Sequence, residues 1–182
     1  MGKQKVILKT IIFLLAVVGV ITLMVFVQSG DNETNNSLMV KWDQYMDTKG
    51  YNPIEVHQTS EHFIFSTFLN EERNQLGVLE YSEGEVIANT SEIKEDSTMS
   101  YVFLDGDYRN YLGVRFNESM NDIGKLVVET KDGNKITHDL YNREDGSTRS
   151  NILIETSFGE EDLRNLILIS KSGEMLYKQE VE

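Results

Sequence analysis

Two different hydrophobic patterns divide the chain near residue 29. No residue from Ile11 to Val27 is charged, and three apolar residues at 6–8 lie just before this run. Beyond residue 50, short runs in which apolar and polar residues alternate are separated by Gly, Asn and Asp. A transmembrane helix needs about 20 mainly apolar residues, whereas alternation predicts half-buried β-strands. We therefore expect a transmembrane helix followed by a β-rich domain.

The clearest strand pair runs from Lys125 to Tyr141. Leu126, Val128 and Thr130 alternate with other residues before Asp132-Gly133, and Ile136, His138 and Leu140 alternate after it. Asp-Gly is the dipeptide that a tight primed hairpin turn favours, because glycine adopts a positive φ angle without strain. The sequence therefore predicts a two-strand hairpin with a primed turn here.

Further runs of the same kind predict a mostly β fold. About nine short strands follow one another at a spacing of roughly ten residues. They cover residues 62–69, 76–81, 98–104, 111–116, 125–130, 136–140, 151–156, 166–169 and 175–181, with a short addition at 85–88. Residues 89–97 are polar and are interpreted as a loop. One helical turn is expected at residues 159–162.

One short helix is expected before the strands. Ser37 can cap it, Gly50 can end it, and apolar residues recur at three- and four-residue spacing between them. These are Leu38, Met39, Trp42, Tyr45 and Met46. The opposite face carries acids as well as lysines, unlike the basic face of a membrane-surface helix. We expect the apolar stripe to pack on the domain itself.

These elements predict an antiparallel β-sandwich, immunoglobulin-like or related, preceded by one short helix and an N-terminal transmembrane helix. The last ninety residues resemble an immunoglobulin-type sandwich because they end with strand, short helical turn, strand, glycine turn and strand. There is no cysteine pair, and the single Trp42 precedes the strands, so the resemblance concerns architecture alone. A division into two β units near residue 95 remains an alternative to one domain.

The flanking charges predict the orientation of the anchor. Lys3, Lys5 and Lys9 precede the apolar run, and the first acid is Asp31. Because positive residues stay on the cytoplasmic side, we expect a cytoplasmic tail at 1–9, a transmembrane helix at 10–28, a flexible spacer at 29–37 and an extracytoplasmic β-rich domain at 38–182. A signal peptide cleaved near Val27-Gln28-Ser29 is the alternative, but its apolar region would be about 7–15 residues.

Net charge restricts the partners of the exposed part. All 30 acids but only 14 of the 17 lysines and arginines follow the apolar run, so this part carries a formal charge of 14 minus 30, or −16. Nucleic acid and anionic phospholipid would be repelled, while a cationic partner or bound cations remain open. The absence of cysteine excludes disulfides and a cysteine-linked lipid, and favours a bacterial cell-envelope protein.

Two sequence segments were considered as metal sites. His57 and His62 frame an approximate zinc-protease motif that has one residue too many, on a stretch interpreted as a loop entering a strand. Asp105 and Asp107 flank Gly106 and are weak candidates for calcium binding. An ordinary turn and ordinary histidines explain both segments better, so no metal and no cofactor is expected. His138 shares a face with Ile136 and Leu140 and should be partly buried and hydrogen-bonded.

Aromatic residues between 101 and 116 give the best candidate surface. Alternation directs Tyr101 and Phe103 to the core, whereas Tyr108, Arg109 and Tyr111 near the turn are candidates for an exposed interaction surface. Tyr and Arg are enriched at protein interfaces.

These observations favour a non-enzymatic function. No cysteine nucleophile, no Gly-x-Ser-x-Gly motif and no glycine-rich phosphate loop is present in the sequence. We expect a membrane-anchored interaction module that binds an envelope or membrane protein or cell-wall material. An envelope hydrolase with a carboxylate pair and a ligand- or cation-sensing domain are the alternatives.

Overall fold

The computed structural model describes residues 38–59, 62–82, 85–94, 96–116, 122–141 and 147–181. The expected tail at 1–9, transmembrane helix at 10–28 and spacer at 29–37 lie outside these residues. None of the helices in the described ranges has the length and apolar character needed to cross a membrane. The chain divides into two compact units, Met1–Lys41 and Trp42–Glu182.

Helix α1 spans residues 38–49 and precedes eleven antiparallel strands in the described part of the chain. The strands are β1 (Asn52–Gln58), β2 (Phe63–Asn70), β3 (Gln75–Ser82), β4 (Glu85–Glu92), β5 (Met99–Asp105), β6 (Asn110–Phe116), β7 (Ile123–Thr130), β8 (Lys135–Asp139), β9 (Asn151–Thr156), β10 (Leu163–Ser170) and β11 (Met175–Glu180). They form three sheets with the strand orders β1-β2-β3-β4, β5-β6-β9 and β11-β10-β7-β8.

The β5-β6-β9 sheet lies in the middle and is buried on both faces. Phe103, Leu112 and Ile154 belong to one core cluster, which they share with residues of the β11-β10-β7-β8 sheet. Val102, Leu104 and Tyr111 belong to a second cluster, which they share with Phe65, Leu76 and Val78 of the β1-β2-β3-β4 sheet. Since side chains alternate between the two faces of a strand, β5 and β6 supply apolar residues to both clusters.

Helix α1 packs on the β1-β2-β3-β4 sheet. Trp42 and Met46 are buried, and the Tyr45 ring centroid lies 6.0 Å from that of Tyr81 on β3. These contacts confirm that the apolar stripe of the helix, over residues 42–49, packs on the domain.

The strand prediction is confirmed for most of the chain and wrong at two places. No strand was predicted before residue 62, and the stretch from His57 to His62 was interpreted as a loop, whereas β1 occupies Asn52–Gln58 and contains Pro53. The proline is tolerated because β1 is an edge strand that pairs only with β2, and its register shifts just after Pro53. β4 continues to Glu92, through residues that were expected to form a loop. Its polar composition follows from its position at the other edge of the same sheet.

The β7–β8 hairpin is confirmed, but its turn differs from the predicted primed turn. The Gly133 N–H donates to the Thr130 carbonyl at 2.9 Å, and the Thr130 N–H donates to the Asn134 carbonyl at 3.0 Å. Gly133 has a φ of 88°, whereas Asp132 keeps a negative φ. This pattern is a type I turn followed by a left-handed glycine.

Candidate functional site

The candidate site is built around the turn that joins β5 to β6. The Gly106 N–H donates to the Arg109 carbonyl at 3.1 Å, and the turn rests on Glu80 of β3, which is only 3% exposed. The Glu80 carboxylate accepts hydrogen bonds from the backbone N–H of Tyr108 at 3.0 Å and of Arg109 at 3.4 Å. A Cβ atom at position 106 would collide with the backbone carbonyl oxygen of Arg109 and lie 2.5 Å from Glu80 Oε2, so glycine is required there. A buried acid therefore holds the turn in one conformation.

Three planar side chains lie in layers on this turn. The Tyr108 ring stacks on Phe63 with centroids 4.6 Å apart and an interplanar angle of 15°. The Arg109 guanidinium carbon lies 5.2 Å from the centroid of Tyr108, and Nη1 of Arg109 forms an ion pair with Oε1 of Glu155 on β9. We call Phe63, Tyr108, Arg109 and Glu155 the stacked patch.

The stacked patch keeps its charges exposed but ordered. The side chains of Arg109 and Glu155 are 49% and 41% exposed. A hydrogen bond with the Tyr108 side chain, followed by the charge of Glu155, raises the pKa of Arg109 above its usual value. The guanidinium is therefore a permanent cation held in a defined orientation, as a recognition surface requires.

Tyr111 does not belong to this surface, and its predicted exposure is wrong. Its side chain is fully buried and its ring stacks on Phe65 with centroids 4.8 Å apart. The cause is the middle position of its sheet, which buries both faces of β6. Burial, followed by the negative charge of the nearby Glu80, raises the pKa of the Tyr111 hydroxyl well above its usual value.

Two adjoining depressions open beside the stacked patch. The first is about 500 Å³ in volume and is lined by Gly106, Tyr108, Arg109, Asn110, Ile136, Glu155, Thr156 and Ser157. The second is about 490 Å³ and is lined by Thr130, Asp132, Asn134, Ile136, Ser157, Phe158 and Asp162. Ile136 and Ser157 line both. We call the two depressions together the end groove.

The candidate metal ligands are not brought together. Asp105 and Asp107 are both exposed at the β5–β6 turn. Nowhere in the described ranges do three His, Asp or Glu side chains converge in a way that could hold a metal ion. The structure thus places these two acids in an ordinary turn.

The histidines have structural surroundings. His57 lies in β1, not in a loop; its ring stacks on Phe65 at 5.5 Å, and its Nε2 is 3.0 Å from Oε1 of Glu55. His62 precedes β2 with a φ of 65°, and Glu61 lies outside the described residues.

His138 is half-buried, as predicted, and burial lowers its pKa. Its Nε2 has no hydrogen-bond partner among the described residues, so the expected hydrogen bond to that atom is absent there.

Tyr108 and Arg109 were predicted as surface candidates from the sequence, whereas Phe63, Glu80 and Glu155, which contact them or support the turn, were not. The sequence contains a signal for Glu80, because it is the one charged residue among the buried residues Leu76–Tyr81. A buried acid needs a partner, so an acid inside an apolar strand indicates a supporting role. Phe63 and Glu155 carry no such signal, because only the fold brings them beside the turn.

Comparisons with protein-family models, curated proteins and solved structures give no match to this chain. The described residues define a mostly β protein with antiparallel sheets and one helix.

Proposed function

We propose that this chain is a single-pass membrane protein whose β-rich domain lies outside the cytoplasm and binds another membrane or envelope component without catalysis. The uncharged run Ile11–Val27 behind three lysines supports the anchor and its orientation. The stacked patch beside an open groove is the observation that supports binding. A module held at the membrane meets its partner at a raised effective concentration.

The order of the stacked patch favours recognition. Association costs free energy for every side chain that must be immobilised. Tyr108 already contacts both Phe63 and Arg109, and its backbone N–H is bonded to Glu80. Aromatic and arginine side chains of this kind contribute most to binding at interfaces, so the patch can bind a partner with little loss of freedom.

We further propose that β5 to β11 form an immunoglobulin-like sandwich. If these seven strands are labelled A to G, the sheets are A-B-E and G-F-C-D. Immunoglobulin domains have the same A-B-E and G-F-C pairings. This chain differs from them in its fourth strand, D, which pairs with the third strand, C. The β5–β6 and β7–β8 turns, which line the end groove, correspond to the A–B and C–D turns. They lie at the end opposite the B–C and F–G loops through which antibody variable domains bind.

The state of the carboxylates near the groove favours binding over hydrolysis. A hydrolase with two carboxylates needs one of them to have a raised pKa. The pKa of Asp132 is instead lowered, first by the Thr130 hydroxyl and then by the Asn134 N–H. Glu155 is engaged by Arg109. Both acids therefore have electrostatic or structural roles in the described surface.

A site-specific photo-crosslinker in intact cells tests the proposal. Placing it at Asp107 keeps the stacked patch intact and should give one discrete adduct with a membrane or envelope component. Placing it at Asp139, an exposed acid at the far end of β8 whose side chain is 72% exposed, removes the same charge and should give none. The absence of an adduct at Asp107, or the same adducts from both positions, contradicts the proposal.

A further inference from the structure

We propose that the end groove binds an extended segment of the partner in which a basic residue lies two positions from an apolar residue. This inference rests on the proposed binding function and names the chemistry of the partner.

The apolar contact lies in the centre of the groove. Ile136 lines both depressions, and Phe158 lines the second of them. Both side chains are partly buried against the core cluster, so they offer a fixed apolar surface. One apolar side chain of the partner can be buried there at a gain of about 25 cal/mol per Å² of apolar area.

Acids lie on both sides of this apolar centre. Asp132 and Asp162 line one depression and Glu155 lines the other. Arg109 is the one basic residue among those lining the two depressions, and Glu155 pairs with it. The excess of two negative charges therefore lies in the depression lined by Asp132 and Asp162, within a part of the chain whose formal charge is −16. Such a field attracts and orients a basic partner.

The acids are held in place before a partner binds. Asp132 accepts hydrogen bonds from the Asn134 backbone N–H at 3.1 Å and from its side-chain amide at 2.5 Å. Asp162 accepts the Gly159 N–H at 3.3 Å. These bonds come from neighbours in the two turns, so the carboxylates stay at the rim of the groove.

An extended ligand can present a basic and an apolar side chain to the groove together. Residues i, i+2 and i+4 of an extended chain point to the same side, and each lies about 6.6 Å from the next of them. With an apolar residue over Ile136, a basic residue two positions away can reach the depression lined by Asp132 and Asp162. The exposed Ser157 and Asn134 side chains at the rim can meet the peptide backbone of the ligand.

The test uses the full-length chain in a nonionic detergent and three heptapeptides. The peptide Ser-Lys-Ser-Leu-Ser-Lys-Ser should bind saturably and shift the amide NMR signals of residues that line the groove. Replacing its Leu by Ser, or both Lys by Glu, should weaken binding about tenfold or more. These comparisons do not depend on any substitution in the protein.

Matched charge variants separate the groove from the general acidity of the domain. Asp132→Asn, Glu155→Gln and Asp162→Asn together should weaken binding about tenfold. Asp122→Asn, Asp139→Asn and Glu174→Gln remove the same charge from the opposite ends of β7, β8 and β10, and should leave it nearly unchanged. Equal weakening by both sets, or no saturable binding, overturns the inference. If the crosslink at Asp107 still forms in that case, the binding module stands and only the chemistry of its partner is wrong.

Discussion

At the scale of single residues, Glu80 shows how one buried acid can shape a surface. It lies 28 residues before Tyr108 in the chain, yet its carboxylate satisfies two N–H groups of the turn. A carboxylate buried without hydrogen bonds would be strongly destabilising. The turn and the acid therefore stabilise each other, and the exposed Arg109 and the partly exposed Tyr108 depend on a residue that no partner would touch.

Replacing this acid should loosen the turn. Glu80→Gln leaves one carbonyl oxygen but brings an NH₂ group against backbone donors. We expect a loss of about 1–3 kcal/mol of stability, the usual cost of an unsatisfied buried group, measured by urea unfolding followed by tryptophan fluorescence. Glu85→Gln, at an exposed site on β4, is the matched control. Unchanged stability in Glu80→Gln would show that the hydrogen bonds of this carboxylate contribute little.

At the scale of elements, side chains protect the edges of the middle sheet. Asn89 of β4 donates its side-chain amide to the Phe103 carbonyl of β5 at 2.7 Å, and its Oδ1 accepts the Thr90 N–H at 2.9 Å. At the other edge, Glu55 of β1 accepts the Leu153 N–H of β9 at 2.9 Å. Open edges are templates for aggregation. The two edge strands of the first sheet therefore cover backbone groups at both edges of the β5-β6-β9 sheet.

Removing one of these contacts should make the domain associate with itself. In Asn89→Ala the Phe103 carbonyl loses the amide that it bonds. We expect a loss of about 1–3 kcal/mol of stability and self-association that increases with concentration in sedimentation measurements on the full chain. Asn52→Ala, at an exposed position that begins β1, should do neither. An Asn89→Ala chain that is as stable and as monomeric as the parent would exclude this protective role.

At the scale of the whole molecule, the charge distribution and the hydrophobic pattern both support the proposed membrane topology, in which the β-rich domain lies outside the cytoplasm. The part beyond the apolar run is strongly acidic, while the residues before it carry lysines and no acid. An acidic domain is repelled by anionic lipid surfaces, which favours a domain that stands away from the bilayer and meets a partner through its own surface.

Protease treatment of intact cells tests this topology. With an epitope tag after Glu182, external protease should remove the tag from the wild-type chain, because the positive-inside rule places residues beyond the apolar run outside. Replacing Lys3, Lys5 and Lys9 by Glu should protect a larger fraction of the tag. The mass of the membrane-bound chain distinguishes an uncleaved anchor from a signal peptide. A wild-type tag that resists external protease but is digested after lysis would refute the orientation.

Local chemistry explains what could be predicted from the sequence. The β7–β8 hairpin and the strand at Asn151–Thr156 were located correctly because alternation and turn residues act between near neighbours. The turn type was wrong because the backbone angle of Asp132 depends on the hydrogen bonds of Thr130 and Asn134. The burial of Tyr111 was missed because alternation shows only that the two faces of a strand differ in polarity. It does not show that a second sheet covers the other face of β6.

The amino-acid sequence by itself therefore determined that this protein is mostly β, acidic beyond residue 29 and without cysteine chemistry, since these properties depend on composition and short-range pattern. Only the tertiary structure decided which of the aromatic residues are exposed, that Glu80 lies under the β5–β6 turn, and that acids from separate turns flank Ile136. Those facts depend on contacts between residues far apart in the chain, and such contacts are set by how three sheets pack rather than by any local preference.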